Sequence, residues 1–455
     1  MNDRKESVRL QGRKISRREF LRGGGAAAAA FTIVPRYVLG GARHTPPSEK
    51  LNIAFIGAGG QGQRNTAQLG SENIAALCDV DEERAAKTFQ LYPKARKYRD
   101  FRKMLEKEKN IDAVVVTTPD HTHAVAAMMA LKMGKHVYCE KPLTHSIYEA
   151  RILTEAAREA KVVTQMGIHH HAGRALRLGV EIIRSGAIGK VYEVHLWTSR
   201  PEVLWAQGVG RPKGTPAVPP TLDWDLWLGP APYRPYHPAY VPFKWRGWWD
   251  FGTGAFGNMG CHVMDLAFWA LELGQRSVSV EARTTRFNNE TYPAASLIRY
   301  EFGALGELSE VTVTWYDGGL LPWSATGPAE LEEGRKLPSH GGLYVGEKGT
   351  ILAALGGGPR LIPESKMKGF KRPEPSLPRS PGHWQEWVEA CKGGPRPLAD
   401  FDYAGPLTEM VLLGNVAIRT GGKLNWDGPN MKVTNVSEAN QYLRRRYREG
   451  WTLLS

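Results

Sequence analysis

The chain has 455 residues, 42% of them hydrophobic, which is enough for two or three domains with buried cores and excludes wholesale disorder. Its formal charge is +14, from 60 Lys+Arg against 46 Asp+Glu, and that excess points first to nucleic acid or an acidic surface. Four cysteines (Cys78, Cys139, Cys261, Cys391) with no Cys-x-x-Cys pair exclude a disulfide scaffold and read as buried free thiols.

The charge is unevenly spread. Residues 1–42 hold nine Lys/Arg against three acids, so +6 of the excess sits there and +8 is left for the rest. Ser16-Arg17-Arg18-Glu19-Phe20-Leu21-Arg22 and the Gly/Ala-rich apolar run at 23–34 have the layout of a twin-arginine export signal. The run is too short for stable membrane insertion, and small residues at 40–42 offer a cleavage site. The expectation is a periplasmic or otherwise exported protein handled by the twin-arginine machinery, which passes folded proteins and so suits a cofactor loaded beforehand. Export also argues against a nucleic-acid partner.

A strand-type run at 51–56 leads into Gly57-Ala58-Gly59-Gly60-Gln61-Gly62 and then a helical stretch to Leu69. This is a G-x-G-x-x-G fingerprint in strand–turn–helix context, where glycines permit the tight turn and close approach to a pyrophosphate. A second strand at 74–77 ends at Asp79, at the spacing of a ribose-binding carboxylate. A carboxylate there repels a 2′-phosphate and favours NAD over NADP, with Arg84 nearby leaving NADP open. Helices at 82–91, 101–107, 124–133 and 148–160 alternate with strands at 97–98, 113–116, 136–139 and 162–165, the pattern of a doubly wound parallel sheet. Its ligand edge carries Thr117-Thr118-Pro119, then His123, Glu140-Lys141-Pro142 and Gln165. With Gly57, Gly59, Gly60, Gln61, Gly62 and Asp79 these form the candidate cofactor site. Lys141 read alone is a solvated lysine paired with Glu140; its place at the ligand edge favours a catalytic reading.

Past residue 170 a helix at 174–185 and strands at 191–198, 277–286, 296–302 and 306–315 predict an α+β domain with a large, mostly antiparallel open sheet. Such a sheet needs its outer face covered, which predicts a homodimer or homotetramer. An aromatic insert at 200–249 is either a rigid loop stapled to the core or a wall of the site, with Trp248 and Trp249 as the sugar-facing candidates. The Gly-rich run at 252–260 is read as a loop entering a helix at 263–273, with Asn258 as its N-cap and His262 and Asp265 in the first turns. His262 is either a core histidine or a general base. His169, His170 and His171 are not expected to converge on a metal, and His169 is placed beside the nicotinamide or the sugar. A basic helix is predicted at 437–448, as a solvated face or an interface.

Together, Gly57-x-Gly59-x-x-Gly62, Thr118-Pro119 with His123, Glu140-Lys141-Pro142 and Gly260-x-His262-x-x-Asp265 resemble the glucose-fructose oxidoreductase / inositol dehydrogenase / rhizopine-catabolism (Gfo/Idh/MocA) family. The resemblance implies that Lys141 binds the reacting hydroxyl, that His262 takes its proton, and that Gly57, Gly59, Gly62, Asp79, Thr117, Pro119 and His123 line the cofactor. It divides the chain into a signal at 1–42, a dinucleotide-binding Rossmann domain at 50–170 and a substrate-binding and oligomerisation domain at 171–455. One position departs from the family, which places Asp four residues before the histidine where this chain has Asn258. The expected activity is NAD-dependent oxidation of a sugar, polyol or glycoside hydroxyl with a tightly held cofactor. The alternatives are a redox-neutral NAD-dependent glycoside hydrolase or lyase, resembling the exported NAD-dependent glycosidases, and a non-catalytic sugar-binding protein.

Overall fold

A computed structural model describes residues 46, 49–322 and 336–453. The arginine pair at 17–18, the apolar run and the cleavage region lie outside the described residues.

Residues 51–170 form the predicted parallel sheet. Its strands are β1 (Asn52–Ile56), β2 (Asn73–Cys78), β3 (Arg96–Tyr98), β4 (Ala113–Val116), β5 (His136–Cys139) and β6 (Thr164–Met166), ordered β3-β2-β1-β4-β5-β6 and parallel throughout. Central β4 reads Ala-Val-Val-Val with every residue buried, as a strand covered on both faces requires. Between the strands run α1 (Gln61–Gln68), α2 (Glu82–Leu91), α3 (Phe101–Lys107), α4 (Asp120–Lys132) and α5 (Ile147–Ala160). Asp81 and Asp100 cap α2 and α3, and Ser146 with Glu149 makes a capping box on α5.

After α6 (Arg174–Arg184) and β7 (Val191–Thr198) the insert holds one short helix, α7 (Trp224–Leu228). Then come α8 (Gly254–Val263) and α9 (Asp265–Ala270). The second sheet continues with β8 (Val278–Thr284), β9 (Ser296–Phe302), β10 (Val311–Tyr316), β11 (His340–Gly346), β12 (Gly349–Ala354) and β13 (Pro359–Ile362). Helices α10 (Ser365–Lys368), α11 (His383–Cys391) and α12 (Phe401–Thr420) precede edge strands β14 (Lys423–Asp427) and β15 (Lys432–Val433). The sheet has nine strands in the order β13-β12-β11-β7-β10-β9-β8-β14-β15, antiparallel except where β10 meets β7.

The late helices tie the two sheets together. Trp387 and Val388 of α11 join the core of the first sheet with Ile53, Phe55 and Tyr138. Helix α12 is buried along most of its length and packs on α5 and under β8. Among the described residues no helix is long and apolar enough to cross a membrane.

Two expectations are corrected here. The run at 252–260 is not a loop leading to a helix at 263–273: α8 starts at Gly254, places Asn258 mid-helix rather than at an N-cap, and ends at Val263 before α9 begins. The reason is packing, since a Cβ at Gly260 would lie 2.9 Å from Phe256 and 3.0 Å from Val411, so the bare glycine surface lets α8 press on α12. The tail is likewise no basic helix. A 3-10 turn at Ser437–Tyr442 gives way to an irregular strap, which Tyr447 anchors to Glu149 at 2.6 Å and Arg448 to the carbonyl of Gly229 at 3.1 Å.

Candidate active site

The site begins where β1 runs into α1. Gly57 takes a positive φ of 90°, and a Cβ there would sit 2.8 Å from the Thr117 carbonyl. A Cβ at Gly62 would lie 1.9 Å from the Gly57 oxygen, so strand and helix meet only because both positions are glycine. Among the described residues no side chain caps α1 at Gly60; the Gly62 N–H donates to the Gly59 carbonyl at 3.0 Å, and the Gln61 N–H is left for a phosphate. Asp79, at the end of β2, accepts from the backbone N–H of Ala58 (2.8 Å), Gly59 (2.9 Å) and Asp81 (2.9 Å). Burial pushes its carboxyl above the usual range, and these three donors offset part of that rise. Arg84 lies across Gly59 and Gly60.

The cleft above this loop is lined by Gly57, Gly59, Gln61, Asp79, Thr117, Thr118, Pro119, His123, Glu140 and Lys141, so most of the predicted cofactor residues come together. Its far wall is the aromatic insert. Residues 221–223 pair with 80–82 at the end of β2, and Trp227, Val241, Pro242, Trp245 and Arg246 face the cleft. His123 joins two strand-end loops, its Nδ1 2.8 Å from the Pro142 carbonyl and its Nε2 2.9 Å from that of Thr118.

Lys141 stands where this cleft meets a second cavity of about 320 Å³, lined also by Gln61, Glu140, His169, His262 and Trp384. Its ammonium donates to the Asn258 carbonyl at 2.8 Å. With its amide oriented to satisfy both neighbours, Asn258 Oδ1 accepts from Lys141 Nζ at 3.1 Å and from Arg246 Nε at 3.2 Å. Burial, and then Arg246, lower the Lys141 pKa, while Asp120 and Glu140 pull it back. Arg246 is itself pushed down to about 10 by burial. Asp120, held by the Thr253 hydroxyl at 2.6 Å, is raised by burial. Burial works against ionised Glu140, yet His169, Asn65 and Lys141 together hold its carboxyl below the usual range. His262 lies one helical turn beyond Asn258, so both project from the same face of α8. Burial first, and then Lys141, push its pKa well below that of an ordinary imidazole. The ring is therefore neutral near pH 7 and able to accept a proton. Its Nδ1 is buried without a hydrogen-bond partner.

Other predicted residues lie elsewhere. Gln165 is buried away from the cleft, its amide donating to the His383 carbonyl at 2.8 Å. Asp265 is fully buried between His171 Nδ1 (3.0 Å) and the Tyr403 hydroxyl (2.5 Å), so it braces the core. Trp248 packs with Tyr240 and Phe251 inside the insert, and Trp249 stacks on Tyr292; neither reaches the Lys141 cavity. The three adjacent histidines diverge: His169 toward Tyr138 (3.0 Å), His170 toward the His262 ring (5.7 Å between centroids) and His171 toward Asp265. Sequence reading passed over Arg246, Trp245, Asp120 and Trp384. Asp120 had a visible signal, an acid directly after Thr117-Thr118-Pro119. Trp384 had none, because it arrives from α11 more than 240 residues after Lys141.

Comparison with known proteins agrees with this architecture. Residues 51–168 match the model of an oxidoreductase family with an NAD-binding Rossmann fold (GFO_IDH_MocA), and residues 181–305 match that family's C-terminal alpha/beta domain. The chain is 23% identical over 231 residues to levoglucosan dehydrogenase of Pseudarthrobacter phenanthrenivorans, covering 48% of this chain and 50% of that one. It is 28% identical over 153 residues to myo-inositol 2-dehydrogenase of Thermotoga maritima, covering 33% and 45%. The chain thus spans about half the length of the relatives it matches. Among solved structures it resembles the WlbA dehydrogenase of Bordetella pertussis in complex with NADH and UDP-GlcNAcA (TM-score 0.58, 20% identity, 83% of this chain and 99% of that one). It also resembles levoglucosan dehydrogenase in complex with NADH (TM-score 0.55, 16% identity, 83% and 99%). At such identities these structures speak for the fold.

Proposed function

The chain belongs to the Gfo/Idh/MocA oxidoreductase family, and from that premise we propose that it is an NAD-dependent oxidoreductase acting on a hydroxyl of a sugar, polyol or glycoside. The observation that carries the reading is the cavity shared by Lys141 and His262, a half-buried cation beside a half-buried neutral base, opening onto the dinucleotide cleft. NAD, when bound, accepts hydride from the carbinol carbon. Lys141 Nζ binds the reacting oxygen and stabilises the alkoxide as it forms; His262 removes the hydroxyl proton. Arg246 adds a second positive charge, and Asn258 fixes both cations with one acceptor. Asp79 supports NAD rather than NADP by its negative charge at the ribose end.

The relatives named above act on levoglucosan and inositol, which supports a carbohydrate or polyol substrate. The twin-arginine motif supports export with the cofactor already held, and little free NAD is met outside the cytoplasm. A retained cofactor that returns its hydride within one cycle follows from that reading. In carrying Asn258 the chain resembles the exported NAD-dependent glycosidases, which have Asn at a similar site; this supports redox-neutral glycoside cleavage as a second reading, while Lys141, which those enzymes typically lack, keeps the oxidoreductase reading first.

The test is a panel including levoglucosan, myo-inositol and aryl glycosides, mixed with protein purified without added NAD and followed by nicotinamide absorbance. Reduction of bound cofactor by at least one compound, abolished in Lys141→Ala, is expected. Aglycone release without net NADH selects the second reading. The absence of both a spectral change and aglycone release with every compound overturns both readings and leaves a sugar-binding protein, and turnover that survives Lys141→Ala overturns the role given to Lys141.

A further inference from the structure

A separate cavity, of about 250 Å³, lies where the start of α5, the end of α12 and the C-terminal strap converge, and it shares no lining residue with the dinucleotide cleft or the Lys141 cavity. Four arginines line it: Arg419, Arg444, Arg445 and Arg446. The acids nearby are already engaged. Asp250, the one carboxylate in its wall, is bound by buried Arg234 (Nε to Oδ2, 2.6 Å), and Glu149 lies 3.7 Å from Arg445. Among the described residues, Arg419, Arg444 and Arg446 have no carboxylate within ion-pair distance, so three positive charges border the cavity without an ion-pair partner.

The wall also holds polar atoms with no partner. Arg445 Nη2, His145 Nε2 and Asn415 Oδ1 are all buried and make no hydrogen bond. A buried polar atom is normally hydrogen-bonded, so three around one cavity set out positions that a ligand's polar groups would match. The Arg419 guanidinium lies between Trp249 (4.4 Å) and Tyr442 (4.8 Å), and Arg444 lies over Tyr148 (4.2 Å). Those ring faces steady the guanidinium planes without using their N–H groups. Arginine N–H groups call for an oxyanion, whereas the Asn415 carbonyl oxygen calls for a donor such as a hydroxyl. The volume falls just below the ~300–1,000 Å³ of typical ligand pockets and limits the occupant to a small molecule.

We propose that this cavity is a second ligand site, specific for a small polyhydroxylated molecule bearing a carboxylate or phosphate, such as a sugar acid or sugar phosphate. Its oxyanion contacts Arg419, Arg444 and Arg446, and a hydroxyl donates to Asn415 Oδ1.

Isothermal titration of the NAD-loaded protein with D-glucuronate, with glucose 6-phosphate and with glucose tests this. Saturable binding of at least one acid is expected, weakened at least tenfold in Arg444→Gln/Arg446→Gln, while any glucose binding is unchanged. The tighter acid identifies the oxyanion. Both residues are exposed, and Arg446→Gln alone, whose side chain makes no hydrogen bond or ion pair among the described residues, is expected to give a smaller loss in the same direction. Failure of both acids to bind overturns the proposal. So does binding undiminished in both variants, which would place the acid elsewhere, in the Lys141 cavity.

Discussion

Asp79 offers the most direct test of cofactor recognition, because it needs no substrate. An ionised carboxylate has about four acceptor positions. Three are taken by the N–H groups of Ala58, Gly59 and Asp81, which leaves one for a ribose hydroxyl. A hydrogen bond to a charged group contributes about 1.5–3 kcal/mol. At about 1.4 kcal/mol per tenfold, Asp79→Ala weakens NAD binding by roughly ten- to 150-fold. Untying the glycine loop adds to this, so the figure is a lower bound. The same change removes the charge that repels a 2′-phosphate and leaves Arg84 in the wall of the cleft with no carboxylate partner among the described residues. NADP affinity is therefore expected to hold or rise, and the preference for NAD to shrink by at least tenfold. Calorimetric titration of wild type and variant with both dinucleotides measures this. An NAD/NADP ratio that does not move would refute the assignment of Asp79 as the ribose-binding acid and reduce it to a brace for the loop.

Gly62→Ala places a methyl 1.9 Å from the Gly57 oxygen and is expected to abolish NAD binding, read by the same titration, with a fall in melting temperature. Lys141→Met is expected to lower kcat by about 10²–10³, measured as hydride transfer from the substrate found in the panel. Because Lys141 is the second-largest cause of the depressed His262 pKa, that variant also moves His262 upward in an NMR titration, and an unmoved resonance would contradict the coupling. In wild type the neutral, proton-accepting form of His262 persists below the ordinary value of about 6.5. The acid limb of the oxidation rate therefore falls below that pH, not at it. Asp265→Ala leaves His171 and Tyr403 without their buried partner and is expected to cost about 3–5 kcal/mol in denaturant unfolding, with the sugar KM unchanged.

Much of the first domain was legible because its signals are local. Helices α2 and α3 start where predicted, each behind an aspartate that caps it (Asp81, Asp100), and an unbroken Ala-Val-Val-Val run marks a doubly covered strand. The cofactor loop was legible for the same reason, since turn, helix and acid lie within about 20 residues. Helix α8 was misread because four glycines at 252–260 carry poor helix propensity, and only tertiary contact with α12 explains why three of them (Gly254, Gly257, Gly260) sit in a helix. Trp248 and Trp249 were chosen over their neighbours Trp245 and Arg246 because spacing within an irregular insert does not say which ring turns outward. The tail arginines looked solvated because charge alone does not reveal that Tyr447 and Arg448 pin the strap to the body of the fold. Edge strands such as β14 and β15 are short and polar enough to leave no period to read.

The replacement of the family's aspartate by Asn258 is best understood through the charges around it. Lys141 and Arg246 are both half-buried; burial lowers the pKa of each, and Arg246 lowers that of Lys141 further. A carboxylate at 258 would cancel one of these two charges in the resting enzyme. The amide instead supplies one neutral acceptor, at 3.1 Å and 3.2 Å, and leaves the net positive charge for the reacting oxygen. The balancing acids stand further back: Asp120 is held by Thr253, and Glu140 is held by Asn65 and His169. Charge that is set apart in this way acts on an alkoxide more than on a neutral hydroxyl, so its effect is greatest in the transition state, where it raises kcat rather than ground-state affinity.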